Sequence, residues 1–275
     1  MRISVVSAGL MVLATALGAG VASAKETFTL AFVGPQDDAF RGFQQAIDEA
    51  NRQGRFLGYA FHHEYIEPGD QAAMALPEGT SAVFASLPAK PFLALARHHD
   101  KLPVFNLSAT EAALRTVCQA NAFHAPASDR MLSDAVTQWT QAGNDADGVV
   151  AKVWNTQFRR YAAIQLSNRF EEGQGVPLSD TGYAGWAGTR LYTQVVMEQG
   201  TAQASTILDT LRGDQVQFDG AKGVPMQFRA SGQLNQMILL EQDGKVVGTA
   251  PVRGVAAAHE LTTLGFNGCE EGSSQ

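Results

Sequence analysis

Between Phe28 and Gln141 the sequence alternates short apolar, strand-like runs with amphipathic helical stretches, and this alternation narrows the possible folds more than any other feature. Strands separated by helices do not pair as hairpins. The helix carries the chain back across the sheet, so successive strands run the same way and build a parallel sheet. The first unit is an apolar run from Phe28 to Val33, then Gly34-Pro35, then Asp37-Asp38 opening a helix with Phe40, Phe43, Ile47 and Ala50 at helical spacing. A second strand, Tyr59 to Ile66, leads into Glu67-Pro68-Gly69-Asp70 and a short helix. A third, Ser81 to Ser86, leads into a helix from Lys90 to His98, and Val104-Phe105 and Ala122-Phe123 add two short strands. Ser128 starts a helix that runs through Gln141.

The second half has a different rhythm. Helices are expected over 156–171, 179–199 and 202–212, followed by paired strands over 225–229 and 234–241. Asp243-Gly244 then reads as a hairpin turn returning into a strand from Lys245 to Thr249. There is no internal repeat and no low-complexity segment.

At the N-terminus Arg2, an apolar and small-residue stretch from Val5 to Val21, and Ala22-Ser23-Ala24 together form the pattern of a cleavable secretory leader, leaving Lys25 as the first residue after cleavage. No cysteine follows the leader to accept a lipid, and no later stretch is long enough to span a bilayer. The formal net charge of −7 disfavours nucleic acid and anionic membrane surfaces as partners and mildly favours cations. Only Cys118 and Cys269 are present. An even pair in an exported protein points to one disulfide, with two separate buried thiols as the alternative; their wide spacing argues against a redox motif.

In open parallel sheets, ligands sit beyond the carboxyl ends of the strands. That rule selects Gly34 to Asp38, Glu67 to Asp70, Ser86, Asn106 to Glu111 and His124. Ser86, Asn106, Ser108 and His124 are the expected contacts for an organic ligand. Asp37, Asp38, Glu67, Asp70 and Glu111 could supply oxygen to a hard cation. Each also has an ordinary role: Asp37 and Asp38 as helix cap and first-turn charge, Glu67 and Asp70 in a solvated turn. Asp145-Ala146-Asp147-Gly148 resembles part of a calcium loop, but Gly143 and Trp154 occupy positions where ligands would be needed, so a turn is expected there. The doublets His62-His63 and His98-His99 are weak candidates for zinc or copper, because strand alternation separates the first pair and the second ends a helix. Tyr183, Trp186 and Tyr192 fall on one helix and read as core. No nucleophile elbow, phosphate loop, H-E-x-x-H or C-x-x-C occurs, so the chain is expected not to be an enzyme and no organic cofactor is implied.

Several stretches carry a family resemblance: Asp37 to Gly42 with Ala46-Ile47 and Gly54 to Gly58, Phe105-Asn106, Leu132 to Ala135, Tyr183-Ala184 with Trp186 and Arg190, Phe218 to Gly223, and Leu261 to Gly265. In this order they resemble the type I periplasmic solute-binding proteins of ABC importers, closest to the branch encoded with pyrroloquinoline-quinone-dependent alcohol oxidation. The resemblance implies two α/β lobes around a cleft, yet only residues 143–148 stand where most of lobe two belongs. The expectation is a single lobe over 25–275, α/β, flavodoxin-like and three-layered, with a C-terminal β-hairpin. Joined to the carboxylates, the resemblance implies a non-enzymatic periplasmic protein binding a lanthanide or calcium ion. Two alternatives stand beside it. One is a docking module that engages periplasmic dehydrogenase or transporter components or forms a homodimer, and the other is an importer component for a small organic ligand or metallophore.

Overall fold

The computed structural model describes residues 26–69 and 75–269; the leader, its cleavage site, Asp70 and the start of the short helix expected after it lie outside these residues. The alternating first half forms β1 (Glu26–Val33), α1 (Asp38–Gly54), β2 (Tyr59–Ile66), β3 (Thr80–Ala85), α2 (Ala89–His98), β4 (Val104–Asn106), α3 (Ala113–Thr116), β5 (Ala122–His124) and α4 (Asp129–Gln141). The five strands pair in parallel in the order β2-β1-β3-β4-β5. The chain moves outward from β1 to β2 and then crosses back to β3, so the loops after β1 and β3 part and leave a crevice between them.

Alternation along each strand divides the core in two. Phe28, Leu30, Phe32, Phe84, Phe105 and Phe123 face α1 and α6 (Asp180–Gln199). Val33, Val83, Ala85, Val104 and Ala122 face α2, through Phe92, Leu95 and Ala96. The result is the expected three-layer arrangement of helix, sheet and helix. Aromatic rings run across the first face, with Phe84 stacked on Phe105 at 4.7 Å and Phe105 on Phe123 at 5.3 Å between centroids. The crossing of α1 over α6 depends on glycine, because a Cβ on Gly42 would lie 2.0 Å from the Gly182 carbonyl oxygen. Tyr183, Trp186 and Tyr192 are buried, as expected of core.

The remaining elements are β6 (Val150–Lys152), α5 (Ala163–Gln174), α7 (Ala204–Arg212), β7 (Phe218–Asp219), β8 (Pro225–Met226), β9 (Ile238–Gln242) and β10 (Lys245–Ala250). Here the sequence reading needs correction. The helix expected from residue 156 begins at Ala163: Asn155 caps a turn by accepting the Gln157 N–H, and Tyr161 adopts a positive φ of 54°. The pairing of 225–229 with 234–241 reduces to one bridge between Phe228 and Leu234, while β8 pairs with β7. The hairpin β9–β10 turns at Asp243-Gly244 as expected, but β6 adds to β9 and makes a three-stranded antiparallel sheet, β10-β9-β6. A turn joins α4 to β6, and in it Asp145 accepts the Asp147 N–H within the turn itself.

Two further features bind the fold together. Cys118 and Cys269 form a disulfide. At the outer edge of the parallel sheet the Asn51 side chain bonds both to the N–H of Phe61 and to its carbonyl, the groups that β2 turns away from β1. Among the described residues no helix is long and apolar enough to cross a membrane.

Candidate functional site

Four strand-end loops converge on an open recess of about 550 Å³. Pro35 and Asp37 come from the loop after β1, Pro68 from that after β2, Ser86 to Pro88 from that after β3, and Ser108 to Glu111 from that after β4. Gly34 makes the first turn possible: its φ is +142°, and a Cβ would lie 2.5 Å from the Ser86 carbonyl oxygen. Asp37 is the N-cap of α1, accepting the Phe40 N–H at 3.1 Å, and its other oxygen accepts the buried Ser86 hydroxyl at 2.6 Å.

Asn106 and His124, expected as ligand contacts, lie beneath the recess rather than on its wall. The Asn106 carboxamide accepts the N–H groups of Ser108 and Ala109 and donates to the Ala109 carbonyl, so it shapes the loop. Its nitrogen is 3.3 Å from His124 Nδ1. Burial, with the charges of Arg115 and Arg212, holds the His124 pKa well below the usual histidine range. Arg115 is buried and donates to the carbonyls of Ala109, Glu111 and Pro126, tying the same loop to its neighbours; burial lowers its pKa to about 9. The sequence reading did not single out Arg115 as a site residue, because its role depends on carbonyl groups that no local pattern exposes. Ser108, Thr110 and Glu111 complete the polar lining.

The carboxylates expected to share one cation are dispersed. Asp38 pairs with Arg41 at 2.6 Å and accepts the Ser179 hydroxyl at 2.8 Å, which turns it away from Asp37 into a neighbouring recess. Glu67 and Glu111 are exposed on separate loops. Among the described residues no three His, Cys, Asp or Glu side chains are grouped to hold a metal ion. The His62 ring meets Glu64 at 2.9 Å in the open, whereas His63 packs on Phe40 and Phe43, so alternation separates this doublet.

The neighbouring recess, about 560 Å³, lies between the N-terminal ends of α1 and α6 and the three-stranded sheet. Asp38, Ser179 and Asp180 form one side, and Lys152, Trp154, Asn155 and Glu241 the other. Lys152 pairs with Glu241 at 2.9 Å and Asn155 donates to the same carboxylate at 2.6 Å; the Lys152 bond leads in holding the Glu241 pKa down. Asp180 accepts the Trp154 N–H at 2.6 Å, and its burial raises its pKa. Of these residues only Asp38 was singled out as a site residue from sequence, since the strand that carries Lys152 was not expected.

No protein-family model and no curated protein matches the chain. Solved structures do. An ABC transporter substrate-binding protein from Sphaerobacter thermophilus superposes with a TM-score of 0.65 at 12% identity, covering 82% of this chain and 98% of that one. The fold is that of a periplasmic binding protein. A branched chain amino acid ABC transporter periplasmic ligand-binding protein from Burkholderia xenovorans LB400 gives a TM-score of 0.67 at 12% identity, with 81% and 95% covered. The branched-chain amino acid transporter substrate binding protein LivJ from Streptococcus pneumoniae, in complex with isoleucine, gives 0.63 at 13% identity, with 82% and 99% covered. In this periplasmic-binding-protein fold the first recess occupies the strand-end crevice that the sheet order creates.

Proposed function

We propose that the protein is an exported, non-enzymatic binding protein that holds a small polar organic molecule, of the size and kind of an amino acid, in the strand-end recess and serves an importer in the periplasm. One observation carries this reading: four loops converge at the switch point of the sheet on a recess with hydroxyls and two carboxylates, Asp37 and Glu111, in its lining. The fold likeness to a LivJ protein in complex with isoleucine supports the same ligand class. The cation reading, a lanthanide or calcium ion in a quinone-dependent alcohol oxidation system, has less behind it. Asp37 and Asp38 are engaged in capping and in fastening α1 to Ser86 and Ser179. The single-lobe organisation belongs to the same proposal: one five-stranded lobe, with the three-stranded sheet lining the neighbouring recess in place of a second shell.

Calorimetric titration of the exported protein with amino acids and small aromatic acids tests the reading. Binding of one class should be lost in Ser108→Trp, which fills the recess, with the fold intact by circular dichroism. Binding that survives this substitution puts the site elsewhere, and no binding by any of the compounds rejects the ligand class.

A further inference from the structure

A lysine without exposed surface sits where the two sheets join. Lys222, between β7 and β8, donates from Nζ to the Val153 carbonyl at 3.1 Å, the Gln236 side-chain oxygen at 3.1 Å and the Met237 carbonyl at 2.8 Å. Its nitrogen also lies 4.5 Å from the centroid of the Tyr183 ring. Val153 follows directly on β6 and Met237 directly precedes β9, so one ammonium holds the ends of both strands. Trp154, the next residue, lines the junction recess and stacks on Tyr183 at 4.8 Å.

We propose that Lys222 is a positioning residue that makes the junction recess respond to protons: the ammonium staples β6 to β9 and seats Trp154, and its neutral form releases one strand end. No described carboxylate is within ion-pair distance of Lys222. The titratable and charged groups facing this junction are Asp180 and Tyr183 on α6, Asp219 on β7, Lys152 on β6, Glu241 on β9 and Asp38 on α1. Desolvation lowers the Lys222 pKa to about 7, opposed by the charge of Asp180. A neutral amine has two N–H donors for three acceptors, and it loses its attraction to the ring. Gln236 is not free to compensate by turning its amide, because its nitrogen donates to the Ala125 carbonyl at 2.9 Å. Any effect on ligand uptake rests on the function proposed above; the proton response does not.

The test is 19F NMR of the exported protein carrying 5-fluorotryptophan, with the Trp154 resonance assigned by Trp154→Phe. That resonance should shift along a single titration curve centred at about pH 7 and stay flat in Lys222→Met. A flat profile in the unmutated protein, or the same curve in Lys222→Met, overturns the proposal. Should Lys222→Met fail to fold, lysine 13Cε shifts of the unmutated protein decide: one lysine titrating at about pH 7 supports the staple, and all titrating near the usual value of about 10.4 reject it. Because no ligand enters this experiment, its failure would leave the binding reading to its own titration.

Discussion

Asp37→Ala removes two bonds at once, one that starts α1 and one that fastens it to the sheet. Losing the cap on Phe40 N–H costs about 1 kcal/mol. Losing the Ser86 hydroxyl bond to a carboxylate costs about 1.5 kcal/mol, since the hydroxyl is buried and the acceptor charged. The expected loss is therefore about 2.5 kcal/mol for Asp37→Ala and about 1.5 kcal/mol for Ser86→Ala. The double variant should lose no more than Asp37→Ala alone, giving a coupling of about 1.5 kcal/mol. Urea unfolding of the four proteins at neutral pH measures all three quantities. A loss under about 0.5 kcal/mol in Asp37→Ala, or coupling near zero, would refute the assignment of Asp37 as a structural clasp. The same experiment separates the clasp from a cation ligand. A carboxylate kept for a cation would, in cation-free buffer, repel Asp38, and its removal would raise the unfolding midpoint.

Three other outcomes follow from the same geometry. Replacing both cysteines by serine should cost about 5 kcal/mol on the chain-entropy model, given a sequence separation of 151, and a loss of unfolding free energy under a third of that in urea titrations would mean the unfolded chain is already constrained. Gly42→Ala should destabilise by about 3 kcal/mol, because its Cβ meets the backbone of α6; a variant as stable as the parent in thermal melts would show that α1 can slide. Burial depresses the pKa of His124 in the folded state, so the unfolded chain takes up the proton first. Its contribution to stability is complete above about pH 6.5 and declines as pH falls below that value, and His124→Gln should flatten this part of the profile; equal slopes in both proteins would exclude His124 as the source.

Most of the parallel half of the fold was legible because β1, β3, β4 and β5 carry runs of core residues and α1, α2 and α4 each have a distinct buried face. Phe40, Phe43, Ile47 and Ala50 place α1 at their helical spacing, and Asp37 marks its start. The strand-end rule then located the recess, since it depends only on strand direction. Asn106 and His124 end β4 and β5 but are buried rather than lining the recess, because whether a polar group lines or supports a pocket depends on loop packing that alternation does not encode. β6 went unseen for a related reason. Three residues, Val150 to Lys152, acquire strand geometry only through pairing with β9, almost 90 residues further along the chain, so the second recess had no local signature. The helix expected from residue 156 failed at Tyr161, whose left-handed backbone is set by its surroundings rather than by helix propensity.

Asn51 has a consequence beyond the helix that carries it. A sheet grows by offering the next strand an unbroken row of donors and acceptors, and β2, eight residues long, would offer such a row along the rim of the molecule. With the Phe61 amide and carbonyl occupied by a side chain, an incoming strand meets a gap in the middle of the row. A single carboxamide on the first helix thus interrupts the outer edge of the sheet and weakens it as a template for strand addition.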